Sequence, residues 1–386
     1  MKSVFSSRSS FDFEENALAS ALRTHLRPDE VLDLTQANPT KVGFEVDEAV
    51  LAAALRNAEN VRYAPSALGY EACRSILAKD LEQRRHTVPA SRLLLTASTS
   101  EVYTYLFKLL CDPGDELLIP APSYPLFDYL AQLEGVRVVT YPLGFDGVFY
   151  FDVNEIKARI TKSTKAVVVV SPNNPTGTYL RQGALDAIME LGVPLISDEV
   201  FECYDLDRPK DAATATSVTR GLAFSLFGMS KQCALPQLKL AWTAVAGDAA
   251  LVDAAMQRLE LIGDSLLSAS APVMNGISAL LAAGGTTRRR ILERAKKNLA
   301  AARTLTQASA VTPLLAEGGI YLVLRIPDVA GDLASAVALL QKKNVHLHPG
   351  AFFGFPSGAF FVVSLLTEEG TFAEGIRRVC AFFDEA

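Results

Sequence analysis

Four apolar runs in this chain end abruptly in residues that can do chemistry. They are TASTS (96–100), SPNNPTG (171–177), SDEVF (197–201) and FGMSKQ (227–232). Together they offer hydroxyls at a helix start, a carboxamide, a carboxylate and an amine. Lys231 follows the apolar stretch AFSLFGMS, which argues against an ordinary surface lysine. A partly buried amine has a lowered pKa and serves as a nucleophile and proton carrier. Asp198 interrupts the apolar run VPLISDEVF, and a carboxylate buried there needs a cationic partner. Asn174 could donate from its amide or simply form a turn, the role expected of Asn173. Ala97, Ser98 and Thr99 could bind an anion at a helix start or merely cap it. Competing signatures are missing: there is no Ser-His-Asp order, no G-x-G-x-x-G and no Walker loop. The chain has four histidines, with only His346 and His348 close together, which speaks against a catalytic zinc site.

The elements that must position these residues follow from hydrophobic period and punctuation. Short Val/Ile/Leu runs at 92–98, 165–171, 193–201, 221–228 and 239–247 alternate with helical stretches, as in a mostly parallel, doubly wound sheet. In such a sheet ligands bind at the carboxyl ends of the strands, where the four polar breaks lie. Near the start, residues 1–12 read as a mobile tip and Phe13–Leu26 as a short helix. Long helical stretches at 249–284 and 286–306 then lead into an α+β pattern, with strands in GGIYLVLRI, NVHLHP and FFVVSLL. The expected division is an arm at 1–45 joining the small domain, a large domain at 46–285 and a small domain at 286–386.

Composition narrows the class. Of the 386 residues, 49% are hydrophobic and 21% charged, as in ordinary globular proteins. The formal net charge of −6 leaves no basic footprint for nucleic acid or an anionic membrane. Five scattered cysteines without C-x-x-C suit reduced thiols in the cytoplasm. No apolar signal-peptide core and no membrane-length apolar run are found.

S-P-N-N-P-T-G, then S-D-E-V, then S-K with a cation eight residues on, resembles the class I/II aminotransferases, pyridoxal-phosphate (PLP) enzymes of fold type I. The intervals match as well: 24 residues from Asn174 to Asp198 and 33 from Asp198 to Lys231. The resemblance implies an α/β fold with a large and a small domain. It implies that Lys231 forms a Schiff base with the cofactor aldehyde and later shuttles the substrate's α-proton. Asp198 would hold the pyridine nitrogen protonated, Asn174 would donate to the ring oxygen, and Tyr124 would stack on the ring. Ala97, Ser98, Thr99, Ser230 and Lys239 would cradle the phosphate. Tyr63, in YAPSALG, would reach the phosphate of a neighbouring subunit, which implies a homodimer with shared sites.

This chain departs from the family pattern at four positions. Lys239 replaces an arginine, keeping the charge and losing the bidentate fork. Gly228 replaces a serine and removes a phosphate donor. Phe201 replaces the tyrosine that shares the ring oxygen, so the internal Schiff base should hold its proton more tightly; Tyr204 is a possible substitute. Val362 stands where the family places the arginine for the substrate's α-carboxylate, and no arginine occurs between Arg325 and Arg377. Arg325, Asn38 and His348 are candidates to replace that contact.

The expected function is a PLP-dependent aminotransferase with atypical carboxylate recognition. Its substrates would be a small-molecule amino donor and an oxo acceptor. A β-eliminating PLP lyase on the same scaffold is the alternative. A non-catalytic PLP-binding regulator is a further one, disfavoured because few residues precede the fold.

Overall fold

The computed structural model describes residues 4–356 and 359–385. At its centre lies a seven-stranded sheet of β1 (Leu93–Thr96), β2 (Glu116–Ala121), β3 (Arg137–Pro142), β4 (Thr164–Val170), β5 (Leu195–Asp198), β6 (Leu222–Gly228) and β7 (Ala241–Gly247). Their order is β1-β7-β6-β5-β4-β2-β3. β7 runs antiparallel to both neighbours, and the other pairs are parallel. Helices cover both faces, which is why β4 can be a nearly unbroken valine run. Register places the strand ends in two adjacent rows: Thr96 opposes Ala241, which opposes Gly228, and two residues below Gly228 Leu226 opposes Asp198, which opposes Val170. The carboxyl ends of β1, β4, β5 and β6 thereby open on one side.

A second, four-stranded sheet comprises β8 (Thr312–Pro313), β9 (Tyr321–Arg325), β10 (His348–Pro349) and β11 (Phe360–Ser364), in the order β8-β9-β11-β10 with antiparallel pairing. The chain start joins it. Leu32–Asp33 pairs in parallel with Val345–His346, and Leu18 and Leu34 enter the same apolar cluster as Leu322, Leu339 and Phe372.

Several elements differ from expectation. One helix, Ile277–Leu305, runs unbroken through Gly284-Gly285. A Cβ on Gly284 would lie 2.3 Å from the Cβ of Cys233, so the glycine permits close helix contact and does not mark a break. Its first part packs with Cys233 and Leu235, its last part (Ala295, Leu299, Ala302) with the small-sheet core. We therefore propose the division 1–45, 46–285 and 286–386 with a shared helix, not a linker, at the boundary. The N-terminal helix is shorter, Ala17–Arg23, because the Asn16 Oδ1 caps it by accepting from the Ala19 N–H at 2.9 Å. Residues 7–11 are docked: the Gln132 amide donates to the Ser7 and Ser10 carbonyls, and Phe11 packs edge-on to Tyr129. NVHLHP forms two short strands, each paired to a different partner. Among the described residues, no helix is long and apolar enough to cross a membrane.

Candidate active site

The strand ends border a cavity of about 350 Å³. It collects Ala97, Ser98, Thr99, Tyr124, Asn174, Asp198, Phe201, Ser230, Lys231 and Lys239, together with Tyr103 and Tyr321. β5 delivers Asp198 as its last residue, and β6 runs into the short helix Met229–Gln232, which carries Lys231.

Asp198 is buried and held at both oxygens. The Tyr103 hydroxyl donates to Oδ2 at 2.9 Å, and the Val200 N–H donates to Oδ1 at 3.1 Å. Burial pushes its pKa up to about 6, against these hydrogen bonds and the nearby Lys231 charge. Burial likewise lowers the Lys231 ammonium's pKa, opposed by Asp198. Lys231 Nζ lies 5.4 Å from the centre of the Phe201 ring. Its short helix leaves C-terminal carbonyls unpaired by helical bonds. Tyr204 Oη donates to the Lys231 carbonyl at 2.8 Å, and Arg288 Nη1 donates to the Gln232 carbonyl at 3.2 Å. These two contacts anchor the backbone beneath the amine.

At the opposite end, β1 turns into the helix Thr99–Leu110. Ser98 Oγ caps it by accepting from the Glu101 N–H at 3.2 Å. The Ala97 N–H donates to Glu101 Oε2 at 2.7 Å and is thus committed within the turn. The remaining donors at this end are the first-turn N–H groups, the Ser98, Thr99 and Ser230 hydroxyls, and Lys239, which sits at the rim with a left-handed φ of 52°. Asn174 lines the cavity with a buried, unpartnered Oδ1. Asn173, by contrast, closes a turn by accepting from the Thr176 hydroxyl at 2.9 Å.

These groups fit PLP chemically. An anion finds a helix start, hydroxyls and a cation. A cationic ring nitrogen finds a buried carboxylate. An aldehyde finds a buried amine of lowered pKa, and a polar ring substituent finds the Asn174 carboxamide, whose NH2 can donate.

Five expected site residues lie outside the cavity. Asn38 is exposed and folds its Oδ1 onto the Thr40 N–H and hydroxyl. Arg325 is exposed at the far end of β9, four residues or about 13 Å from Tyr321 at the usual rise per residue. His348 sits against Phe352 and Phe353, and burial and His346 push its pKa down to about 4. It is therefore neutral at pH 7 and offers a carboxylate no charge. Val362 is fully buried with Val323, Phe353 and Phe360. Tyr63 stands 85% exposed on the surface.

Tyr204, a possible substitute for the missing tyrosine, spends its hydroxyl on the Lys231 carbonyl, whereas Tyr103, Tyr321 and Arg288 carry no motif that marks them as site residues. The usable signal at Tyr103 is a phenol on an otherwise apolar helix face, since a buried tyrosine needs a hydrogen-bond partner.

The model of the aminotransferase class I and II family matches residues 29–378. Glutamate-pyruvate aminotransferase AlaA of Haemophilus influenzae is 26% identical over 97% of this chain and 96% of its own length. Alanine aminotransferase of Mycobacterium bovis is 24% identical over 87% of this chain and 82% of its own. Among solved structures, alanine aminotransferase from Pyrococcus furiosus superposes with a TM-score of 0.86 at 21% identity, covering 99% of this chain and all of the other. The shared architecture is the fold type I arrangement.

Proposed function

This chain belongs to the class I and II aminotransferase family and is a PLP-dependent aminotransferase, and from that premise we propose how its own residues serve the reaction. Bound PLP supplies an electrophilic carbonyl and a ring that draws off the electron pair left at the donor's Cα. Lys231 holds the cofactor through Nζ. Burial lowers its proton affinity, which favours the neutral, nucleophilic amine. Nζ, when free, would accept the proton from the donor's Cα and return it to the carbon that becomes the cofactor's new amine-bearing carbon. Asp198 keeps the ring nitrogen protonated, Asn174 donates to the ring oxygen, and Tyr124 and Phe201 wall the ring. Ser98, Thr99, Ser230 and Lys239 hold the phosphate, while Ala97 shapes the turn.

The substrate's carboxylate is received without an arginine of this subunit. The observation that carries this reading is the cavity lining itself: Lys231 and Asp198 face one space on which, among the described residues, no arginine opens. Nothing in that lining favours β-elimination.

The active form is a homodimer. Val61, Tyr63, Leu261 and Leu266 are exposed, Tyr63 borders a surface pocket with Leu267, and Gly263 of the helix Ala249–Asp264 backs directly onto Ala67. A second copy would cover this apolar surface and bring Tyr63 to the neighbouring site. All five cysteines are free, which fits a reducing cytoplasm.

An amino-donor screen tests the function. Single-turnover mixing should bleach the cofactor's visible band with a productive donor, and an added oxo acid should restore it. Release of ammonia with no restoration by any oxo acid would contradict transamination.

A further inference from the structure

A buried phenol at the cavity takes no part in the reaction outlined above. Tyr103, on the helix Thr99–Leu110, is 2% exposed. Its ring packs edge-on against Phe127 at 5.2 Å and tilted against Phe107 at 5.8 Å, so its direction is set by packing. Its hydroxyl donates to Asp198 Oδ2 at 2.9 Å. The other oxygen, Oδ1, accepts from the Val200 N–H. The carboxylate is thus tethered from two elements, the helix after β1 and the segment after β5, and cannot rotate without losing a hydrogen bond. Each oxygen retains acceptor capacity for a ligand in the cavity.

The tether also acts on charge. The groups facing Asp198 are Tyr103, Lys231, Glu199 and, at longer range, Tyr124. Among these, Glu199 opposes ionisation of Asp198, as does burial, whereas Lys231 and the Tyr103 hydroxyl favour it. Lys231 is the group that moves during the reaction, so its support is not constant. The phenol's support is constant.

We propose that Tyr103 is a positioning residue for the cofactor's ring nitrogen: it fixes the Asp198 carboxylate toward that nitrogen and stabilises its ionised form, so that the nitrogen keeps the shared proton. This rests on the reading that Asp198 faces the nitrogen. Without the phenol, a carboxyl buried at this depth takes the proton itself and the ring loses its positive charge.

Tyr103→Phe tests it, because the ring contacts survive and only the hydroxyl is lost. In the full-length, cofactor-free chain labelled with ¹³C-carboxyl aspartate, the Asp198 midpoint should rise by about one to two pH units, as expected for losing a hydrogen bond to a charged group. In the holoenzyme, kcat should fall about ten- to a hundredfold with the donor KM within twofold. In an Asp198→Asn background, adding Tyr103→Phe should change kcat no further. An unmoved Asp198 midpoint, an unchanged kcat, or equal losses in both backgrounds would overturn the proposal. If Asp198→Asn alone keeps near-normal kcat, the assignment of Asp198 fails and the proposal falls with it. A low Asp198→Asn rate beside a normal Tyr103→Phe rate overturns the role of Tyr103 alone.

Discussion

Tyr204 donates its hydroxyl to the main-chain carbonyl of Lys231 at 2.8 Å, from a position buried beneath the cavity floor. It therefore secures the backbone that carries the amine and has no proton to offer the cavity. Phe201, whose ring centre lies 5.4 Å from Lys231 Nζ, has none either. The pH-dependent visible band of the loaded enzyme should thus titrate without an aromatic hydroxyl donor. Phe201→Tyr should lower its midpoint by about one pH unit, since a donor to the ring oxygen favours the deprotonated chromophore. Tyr204→Phe should leave the midpoint in place and lower kcat by loosening the lysine. A spectrophotometric titration in which Tyr204→Phe moves the midpoint and Phe201→Tyr does not would reverse these roles.

Gly228 is the next residue open to test. Its backbone is extended (φ −161°, ψ 145°), so any side chain can be accommodated. A Cβ there would meet Thr99 Cγ2 at 3.4 Å and Ser230 Oγ at 3.6 Å, ordinary contacts. Gly228→Ser should fold normally and place a hydroxyl beside those of Thr99 and Ser230. Loss of PLP on dialysis should then slow about ten- to a hundredfold, the scale of one hydrogen bond to a charged group. Gly228→Ala should show no such gain. An equal gain in both variants would assign the effect to a stiffer chain.

Asp198 gives the cofactor-free protein a characteristic pH dependence. Its folded pKa of about 6 lies above the unfolded carboxyl value of roughly 3.9. Between those values the folded chain holds a proton that the unfolded chain has released, so this contribution to stability is full below about pH 4 and is lost as pH rises through 6. The loss amounts to about 3 kcal/mol at most. Asp198→Asn lacks the dependence and should gain on wild type across that window, while losing catalysis. Urea unfolding at pH 4 and pH 7 measures the difference. Parallel profiles would show that the carboxyl is ionised throughout.

Val362 is the position at which sequence and structure part most sharply. The family pattern suggests that an arginine restored there would bind substrate. The side chain instead lies sealed among Val323, Phe353 and Phe360, where a guanidinium finds no partner. Val362→Arg should therefore destabilise the fold, by about 3 kcal/mol or more for an uncompensated buried charge, and leave donor KM unimproved in whatever fraction folds. Thermal unfolding and steady-state kinetics report both. A stable variant with improved KM for glutamate or alanine would show that the arginine reaches the cavity after all.

Residues that end apolar strands were legible because the break from hydrophobic to polar is itself the signal. Asp198, Asn174 and Lys231 stand out in this way, and parallel pairing then brings them to one edge. Long-range packing was not legible. Gly284-Gly285 reads as a helix break, and only the approach of Cys233 explains why the helix continues. Arg325 shares a strand face with Tyr321, but the strand's rise carries it away from the cavity. Tyr103 and Arg288 sit in helices whose pattern declares burial or charge without naming the strand end or carbonyl each one meets.

The central claim is that Lys231 is the amine that holds PLP. Borohydride reduction of the loaded enzyme, followed by proteolysis and peptide mass spectrometry, tests it most directly. A phosphopyridoxyl mass is expected on the peptide containing Lys231, and none in a folded Lys231→Ala variant that has lost turnover. The label on another lysine, or a labelled and active Lys231→Ala enzyme, would contradict it.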